Sequence, residues 1–202
     1  MNRVILSAST DETILAVTRQ HKLVDLEIEQ QINTEIVGCI YKGIVKNIVP
    51  AVDGIFVDIG IGKNAFLRRK DLLNEKRFPT EGSPILAQVI KSDTDMKGAL
   101  ITEKISMLGK YAVTLSGTGY IGVSKKIRSE SVRKRLKEIG KEICAEHMGL
   151  IIRTAAENAD MDEFRKDITR LKENWDIIQK RFRMEKSPTL LYRESDIIVK
   201  AL

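Results

Sequence analysis

The sequence predicts an α+β protein in which a small five-stranded β-barrel is inserted into a mixed α/β domain. Three observations predict this fold class. Residues 1–30 contain short alternating segments, residues 36–104 contain five short β patterns separated by glycine and proline, and helical periodicity begins only beyond residue 104. Strand and helix patterns therefore occupy different stretches of the chain, which is typical of α+β proteins.

The first thirty residues predict short strands joined by tight turns. Apolar and polar residues alternate in Val4–Leu6, Thr13–Thr18 and Leu23–Ile28. Alternation of this kind indicates a half-buried strand, and the polar stretch Gln20–Lys22 separates the second segment from the third. We therefore expect a hairpin that turns at Gln20–Lys22.

The following stretch predicts a small closed barrel of the OB type. Five short strands with no long helical period between them suit such a barrel. The predicted strands are Gly38–Val49, Gly54–Ile59, Asn64–Arg68, Ile85–Lys91 and Gly98–Thr102.

Two helices are expected in the second half of the chain. Ser129 is a suitable N-cap for the first, the second starts near Asp160, and each carries one apolar stripe. The stripes are Val132, Leu136, Ile139 and Ile143 in the first helix, and Phe164, Ile168, Leu171, Trp175, Ile178 and Phe182 in the second. Between the helices, Met148–Arg153 has the pattern of a short buried strand.

The last residues predict one more strand. Ser187–Pro188 ends the second helix, and Leu190–Val199 then has a strand pattern for which the N-terminal hairpin is the expected partner. Because the sequence ends at Leu202 directly after this strand, we expect the chain to be part of a longer protein. The alternative is a natural C-terminal edge strand.

Composition narrows the class of protein. A net charge of +6 favours a polyanionic partner, although many basic proteins bind no nucleic acid. No apolar run is long enough for a membrane span, and the N-terminal apolar run is too short for a secretory signal. Cys39 and Cys144 are isolated and belong to no CxxC motif, so neither a disulfide framework nor a metal site is expected. We expect a cytoplasmic protein without a membrane partner.

Two phenylalanines stand out in the barrel segment. Alternation in Gly54–Gly60 and Asn64–Arg68 turns the aliphatic residues to the core, so Phe56 and Phe66 project from the polar side. Unpaired bases are suitable covers for exposed rings, because every base has a face that stacks. The alternative is that both rings pack under a loop or another domain.

Basic residues near these phenylalanines suit the phosphates between stacked bases. They are Lys42, Lys46 and Lys97. A short acidic loop holds Asp93 and Asp95, but two carboxylates on a barrel rim do not by themselves predict a magnesium site.

The motifs of the barrel and of its flanks resemble one family, and the resemblance runs through the whole chain in one order. In the barrel they are Ile40–Gly43, Phe56–Gly60 and Ala65–Leu67, which resemble the S1 domain of the ribonuclease E/G family. In the flanks they are residues 1–30, Gly149–Ala155 and Glu194–Val199, which resemble the sequence on either side of that family's S1 domain.

The resemblance implies a domain organisation. Residues 1–34 and 187–202 would be parts of a split, incomplete RNase H-like domain. Residues 35–104 would be the S1 barrel of OB-fold type, and residues 105–186 a 5′-sensor region that recognises an RNA end with one phosphate.

The resemblance also implies the RNA-binding residues. Phe56, Phe66 and Lys97 match the positions that contact RNA in the family's barrel, and Lys42 and Lys126 are further candidates for contacts with the strand.

A second set would bind the terminal phosphate. Arg153 and Thr154 follow a short apolar strand, and a guanidinium beside a hydroxyl suits phosphate oxygens, although such a pair is also often structural. The family's pocket also uses the positions that match Gly109 and Val113.

No catalytic or metal-binding residue is expected within this chain. In the family, hydrolysis is assigned to aspartates that hold magnesium in a later domain, and zinc is bound by a CxxC element beyond it. We therefore expect magnesium and zinc in a longer parent, no cofactor here, and no cleavage of RNA by this chain alone.

Three functions remain open at this point. The first is the RNA-binding part of a single-strand-specific endoribonuclease, with single-stranded RNA as partner and a homodimer, in which strands are swapped, as an expected assembly. The second is a non-catalytic S1-type protein of translation or transcription. The third is a module whose two phenylalanines bind another protein.

Overall fold

A computed structural model places most of the chain in two compact units. The described residues are 2–8, 12–20, 22–30, 36–94, 96–144 and 148–193, so Asp95 and the segment 194–199 lie outside them. One unit comprises residues 1–36 and 193–202, and the other comprises residues 37–192.

The first unit contains a three-stranded antiparallel sheet. Its strands are β1 (Asn2–Ala8), β2 (Glu12–Arg19) and β3 (Lys22–Gln30), in the order β1-β2-β3. Strands β2 and β3 form the predicted hairpin, and Gln20 in its turn has a positive φ of 50°. The hairpin prediction is confirmed.

The second unit contains the predicted barrel. Its strands are β4 (Ile40–Val49), β5 (Gly54–Asp58), β6 (Ala65–Arg68), β7 (Pro84–Lys91) and β8 (Leu100–Thr102). They pair in the order β4-β5-β6-β8-β7, and β7 also pairs with β4, which closes the barrel. Single turns of 3-10 helix follow β4 at Pro50–Val52 and β6 at Arg69–Asp71. All five predicted strands and the α+β fold class with its closed five-stranded barrel are confirmed.

A second sheet follows the barrel, and sequence patterns predicted only one of its strands. The strands are β9 (Ser106–Leu108), β10 (Ala112–Ser116), β11 (Ile121–Val123) and β12 (Met148–Ile152), in the order β11-β12-β10-β9. Strand β11 runs parallel to β12, and β12 and β9 are antiparallel to β10. Strands β9 and β11 have three residues each, too few for alternation to be recognised.

Two helices cover one face of this sheet. They are α1 (Glu130–Ile143) and α2 (Met161–Met184), and they begin where predicted. Ser129 Oγ accepts a hydrogen bond from Val132 N, and the Asp160 carboxylate accepts bonds from the next turn.

The predicted apolar stripes enter a common core. Leu136 of α1 and Phe164 of α2 are fully buried with Leu150 of β12. The same core extends to Ile178 of α2 and Ile40 of the barrel, so helices, sheet and barrel share one interior. Among the described residues, no helix combines the length and the apolar character needed to cross a bilayer.

The strand after α2 does not pair as predicted. Strand β13 (Thr189–Tyr192) pairs antiparallel with β4 of the barrel, so the expected pairing with the N-terminal hairpin is wrong for this segment. The cause is the turn after α2. Pro188 lies against Gly60, and the Arg181 guanidinium donates to the carbonyls of Leu190 and Leu191.

Candidate nucleic-acid interface

Phe56 and Phe66 form a pair on the outer face of the barrel. They face each other in the β5–β6 register, and their ring centroids are 5.4 Å apart with the planes tilted by 51°. Their neighbours Ile55 and Leu67 are fully buried, whereas both rings remain partly exposed. The structure therefore brings the two aromatic residues together on the side predicted from alternation.

The aromatic pair belongs to a row that crosses four strands. Asn47 of β4 is opposite Phe56, and Leu100 of β8 is opposite Phe66. A register shift between Val45 and Asn47 produces this alignment. Sequence patterns missed Asn47 and Leu100, because a bulge and a parallel β6–β8 pairing are not visible in a single strand.

Gly54 provides the space for the Phe66 ring. A Cβ at position 54 would lie 2.3 Å from Phe66 Cζ and 3.1 Å from the carbonyl oxygen of Leu67. Any side chain here therefore has to displace the ring, since the Leu67 carbonyl belongs to the backbone of β6. Gly54 lies on the same side of β5 as Phe56, and that alternation is the signal from which its role was predictable.

Basic side chains lie beside the aromatic pair, but two of them form ion pairs with neighbouring carboxylates. Lys46 pairs with Asp58 at 3.4 Å, and Arg68 pairs with Asp71. Both cations are more than a third exposed, so these ion pairs are weak and can exchange for phosphate.

Lys97 lies in the loop before β8, close to the start of β6. The loop packs so tightly here that a Cβ on Gly98 would lie 2.0 Å from the carbonyl oxygen of Asn64. Lys97 precedes Gly98 by one residue, and Phe66 follows Asn64 by two. The contact between Gly98 and Asn64 therefore keeps Lys97 and Phe66 near each other. The Lys97 side chain is exposed, and within the described part of the chain no ion pair engages it.

Lys42 contacts the C-terminal end of α2. Its ammonium donates to the carbonyl of Glu185 at 2.6 Å and lies 5.0 Å from the ring centroid of Phe182. The side chain is half-buried against the C-terminal end of α2, where a cation is favoured by the helix dipole. Lys42 thus connects α2 to the barrel, and its contact with RNA stays a prediction.

Arg153 and Thr154 lie at one end of the second sheet. The ends of β11 and β12 meet the turn at Gly109 there. The carboxyl ends of the parallel strands β11 and β12 point to the same edge, so Ser124 follows one strand as Arg153 follows the other. Ser124 Oγ and Thr154 Oγ1 are 3.0 Å apart. We call Ser124, Arg153 and Thr154 the strand-end cluster. Ser124 was missed because β11 was not predicted.

The Arg153 guanidinium is oriented by backbone carbonyls. Its Nη1 donates to the carbonyls of Gly109 at 2.8 Å and Lys110 at 3.2 Å. No described carboxylate pairs with it, and its Nε and Nη2 hydrogens have no partner among the described residues. Arg153 is exposed, so these donors face solvent.

A buried carboxylate supports the turn that orients Arg153. Asp167 of α2 accepts hydrogen bonds from Tyr111 N at 2.8 Å and Lys110 N at 3.2 Å, and it pairs with Arg170. Gly109 packs directly against Asp167. The turn is therefore held by a carboxylate on one side and the Arg153 guanidinium on the other.

Charged groups at the rim of this turn shift one another's pKa. The hydrogen bond from Tyr111 and the nearby Lys110 lower the pKa of Glu163 below its ordinary value. The same contacts with Tyr111 and Glu163 raise the pKa of Lys110, although slight desolvation opposes them. Lys110 and Glu163 thus form a pair of opposite charges at the rim of this turn.

The other predicted members of this site lie around the strand-end cluster. Lys126 is exposed, and its backbone N–H donates to Ser124 Oγ at 3.3 Å. Val113 is opposite Leu108 and Ile151 on the face of the sheet away from the helices, and those two neighbours are 54% and 40% exposed. Val113 thus belongs to an apolar surface next to the cluster.

The described residues do not fit a bound metal ion. Among them, no group of three or more histidine, cysteine, aspartate or glutamate side chains is close enough to share an ion. Asp93 lies 3.9 Å from the ammonium of Lys63. Asp95 lies outside the described residues.

Replacing Gly54 with alanine is expected to lower the affinity for single-stranded RNA without unfolding the barrel. The new methyl group displaces the Phe66 ring from its position beside Phe56, which weakens one stacking contact and lowers the affinity by roughly fivefold, the lower end of the value of such a contact. Fluorescence anisotropy with a labelled oligonucleotide measures the change. Unchanged affinity in a folded variant would contradict the role of the pair.

Replacing Gly109 with alanine is expected to destabilise the protein by about 1–3 kcal/mol, the usual range for overpacking a tight site. The methyl group would lie 2.6 Å from Asp167 Oδ2 and 2.8 Å from Leu171 Cδ1. Chemical denaturation measures the free energy of unfolding. Lys110→Ala, in the same turn but exposed, is the control, and equal stability of both variants would contradict the packing argument.

The closed barrel with paired aromatics and neighbouring cations places this chain among proteins with an S1-type nucleic-acid-binding domain. Residues 34–102 match the model of the S1 RNA binding domain. Residues 106–202 match the model of the Ribonuclease E/G family. The chain belongs to the ribonuclease E/G family.

Curated relatives support this assignment. Ribonuclease G of Escherichia coli (strain K12) is 34% identical over 208 residues, which cover 95% of this chain and 42% of the relative. Ribonuclease G of Haemophilus influenzae is 35% identical over 189 residues, covering 85% of this chain and 38% of the relative. Ribonuclease E of Synechocystis sp. is 35% identical over 176 residues, which cover 82% of this chain and 26% of the relative. This chain thus spans less than half the length of these relatives.

Proposed function

We propose that this chain is the RNA-binding N-terminal part of a single-strand-specific endoribonuclease that acts in RNA processing and decay and recognises 5′-monophosphate ends. The aromatic pair on the outer face of the S1 domain carries the proposal. Two neighbouring rings with partly exposed faces suit consecutive unpaired bases, whereas a duplex keeps its bases stacked on each other.

The barrel holds the strand by stacking and charge. Bases stack on Phe56 and Phe66, and the exposed Lys97 neutralises a phosphate beside Phe66. Lys46 and Arg68 exchange their carboxylate partners for phosphate when RNA is bound. This arrangement reads no base identity, so the barrel accepts many sequences.

The strand-end cluster receives the 5′ end. Arg153 offers its remaining Nε and Nη2 hydrogens, and the hydroxyls of Thr154 and Ser124 add donors. Lys126 adds positive charge, and the turn at Gly109 and the apolar surface at Val113 shape the pocket for the first nucleotide. A terminal monophosphate carries more negative charge than an internal diester, which favours the end over the middle of a strand.

Catalysis belongs to the longer parent in this proposal. The aspartates that hold magnesium, and a zinc-binding CxxC element, would follow the residues of this chain, whose sequence contains no CxxC. Residues 1–34 and 187–202 would contribute to an RNase H-like domain, and residues 105–186 would be the 5′-sensor region. We propose further that the parent is a cytoplasmic homodimer and that this chain alone does not cut RNA.

Salt dependence tests the RNA-binding part of the proposal. Affinity for a fluorescent single-stranded oligonucleotide should fall steeply with salt, with a logarithmic slope of about −0.7 per phosphate contacted. A duplex of the same sequence should compete poorly. Affinity that is independent of salt, or equal competition by the duplex, would favour the alternative in which the two phenylalanines bind another protein.

Incubation with RNA tests the enzymatic part. The full-length parent should cleave a single-stranded substrate in the presence of magnesium, and this chain alone should not. A full-length parent that binds RNA but never cleaves it would favour the alternative of a non-catalytic S1-type protein of translation or transcription.

A further inference from the structure

A cavity of about 330 Å³ lies between α2, the barrel and the second sheet. One wall comes from α2, where residues 172, 175, 176 and 179 follow the spacing of a single helix face. The rest of the lining comes from Leu73, β7, the β8–β9 connection, the end of β10 and the start of β12. The volume is at the lower end of the ~300–1,000 Å³ range of small-ligand sites.

The walls of the cavity suit a flat ring. Trp175 of α2 is partly buried, and it lines the cavity together with the aliphatic side chains of Leu86 and Ile105. An indole and aliphatic groups in one lining suit an aromatic ligand, because offset stacking adds to the burial of apolar surface.

A carboxylate lies in this apolar surrounding. Glu103 lines the cavity, and its Oε2 accepts a hydrogen bond from Leu73 N at 2.9 Å. Among the described residues, no side chain donates to its Oε1. Desolvation by burial, which exceeds the opposing effect of the Leu73 hydrogen bond, raises the pKa of Glu103. Glu103 is only partly buried, so its Oε1 is accessible from the cavity and can accept hydrogen bonds from a ligand with N–H groups.

Three further polar side chains of α2 line the cavity. Lys172 supplies an ammonium and Gln179 an amide, while Asp176 lies between them and partly offsets the lysine charge. The cavity therefore offers acceptors at Glu103 and donors at Lys172 and Gln179 around an apolar slot.

We propose that this cavity binds a guanine base, supplied either by a free nucleotide or by RNA. The N1–H and N2–H groups of guanine donate side by side to the Glu103 carboxylate, while Gln179 or Lys172 donates to its O6. Adenine presents an unprotonated nitrogen where guanine has N1–H, so the carboxylate disfavours it. None of the residues lining this cavity belongs to the aromatic pair or the strand-end cluster, so the inference is independent of the proposed function.

Trp175 reports on the cavity directly, because it is the only tryptophan of the chain. Titration with guanosine monophosphate should quench its fluorescence to saturation, and adenosine monophosphate should not. Single-stranded oligonucleotides with and without guanine distinguish the two sources. A response to the nucleotide indicates free nucleotide as a ligand, and a response to guanine-containing RNA alone indicates a base of the strand.

Glu103→Gln separates binding from folding. The glutamine amide oxygen still accepts from Leu73 N, so the variant should fold, but the paired acceptor is lost and guanosine monophosphate should bind at least about tenfold more weakly. Glu138→Gln, on the exposed face of α1, is the matched control and should bind as the original chain does. Equal quenching by adenine and guanine, no quenching by any guanine ligand, or unchanged binding by Glu103→Gln would overturn the proposal.

Discussion

Replacing Phe56 with alanine is expected to weaken binding of single-stranded RNA by about 5- to 150-fold, and replacing Phe66 should have an effect of similar size. Stacking of one base on one aromatic side chain is worth about 1–3 kcal/mol. Since the two ring centroids are only 5.4 Å apart, removal of one ring also loosens the other. The double variant should therefore bind more weakly than either single variant, but by less than the product of the two effects.

Phe78→Ala is the matched control for this pair. Phe78 is also a half-buried phenylalanine of the barrel region, but its ring lies 3.9 Å from the Arg69 guanidinium instead of beside the other two rings. Anisotropy titrations at one fixed salt concentration compare the variants. If Phe78→Ala weakens binding as much as Phe56→Ala, the loss reflects barrel stability, and the aromatic pair is not the binding surface.

Local patterns were sufficient to predict the barrel and both helices. Alternation in Gly54–Asp58 determined which side Phe56 occupies, because a strand has only two sides. Ser129 and Asp160 predicted the helix starts, because their side chains accept hydrogen bonds from backbone N–H groups that the helix itself leaves unpaired.

Pairings between distant segments could not be predicted in this way. Strand β13 has the same alternation whether it pairs with the N-terminal hairpin or with β4, and the outcome depends on contacts such as Pro188 against Gly60. The hydrogen bond from Lys42 to the end of α2 at Glu185 could likewise not be predicted from the position of Lys42 on β4. Neither contact leaves a signal in the local sequence.

The strand-end cluster was predictable only in part. Arg153 and Thr154 follow an apolar strand, which indicated a polar edge. Ser124 and Asp167 complete the cluster and its support, but both depend on which strands are neighbours and on how α2 crosses the sheet. Three strands of three to five residues were missed, so their partners at the edge were missed as well.

Replacing Arg153 with alanine is expected to remove the proposed preference for 5′-monophosphate over 5′-hydroxyl RNA, a loss of about 10- to 150-fold for the phosphorylated end alone. Hydrogen bonds to charged groups contribute about 1.5–3 kcal/mol, and the guanidinium supplies the charged donors of the cluster. Arg153→Lys should recover part of the overall affinity but little of the preference, because an ammonium lacks the planar fork. Titrations with the same RNA carrying either a 5′-monophosphate or a 5′-hydroxyl measure the ratio of the two affinities.

Two comparisons separate this effect from a general loss of positive charge. Arg165→Ala removes an exposed arginine of α2 that pairs with Glu142, and it should lower affinity for both RNA ends equally. The preference of the original chain should also decline as the pH falls below about 6, where a terminal phosphate loses its second charge. This decline belongs to the ligand, whose second ionisation falls in that range. Two outcomes would contradict this role: Arg153→Ala keeps the preference, or the preference does not change when the terminal phosphate is protonated. In either case the guanidinium only supports the turn at Gly109, and the phosphate end is recognised elsewhere.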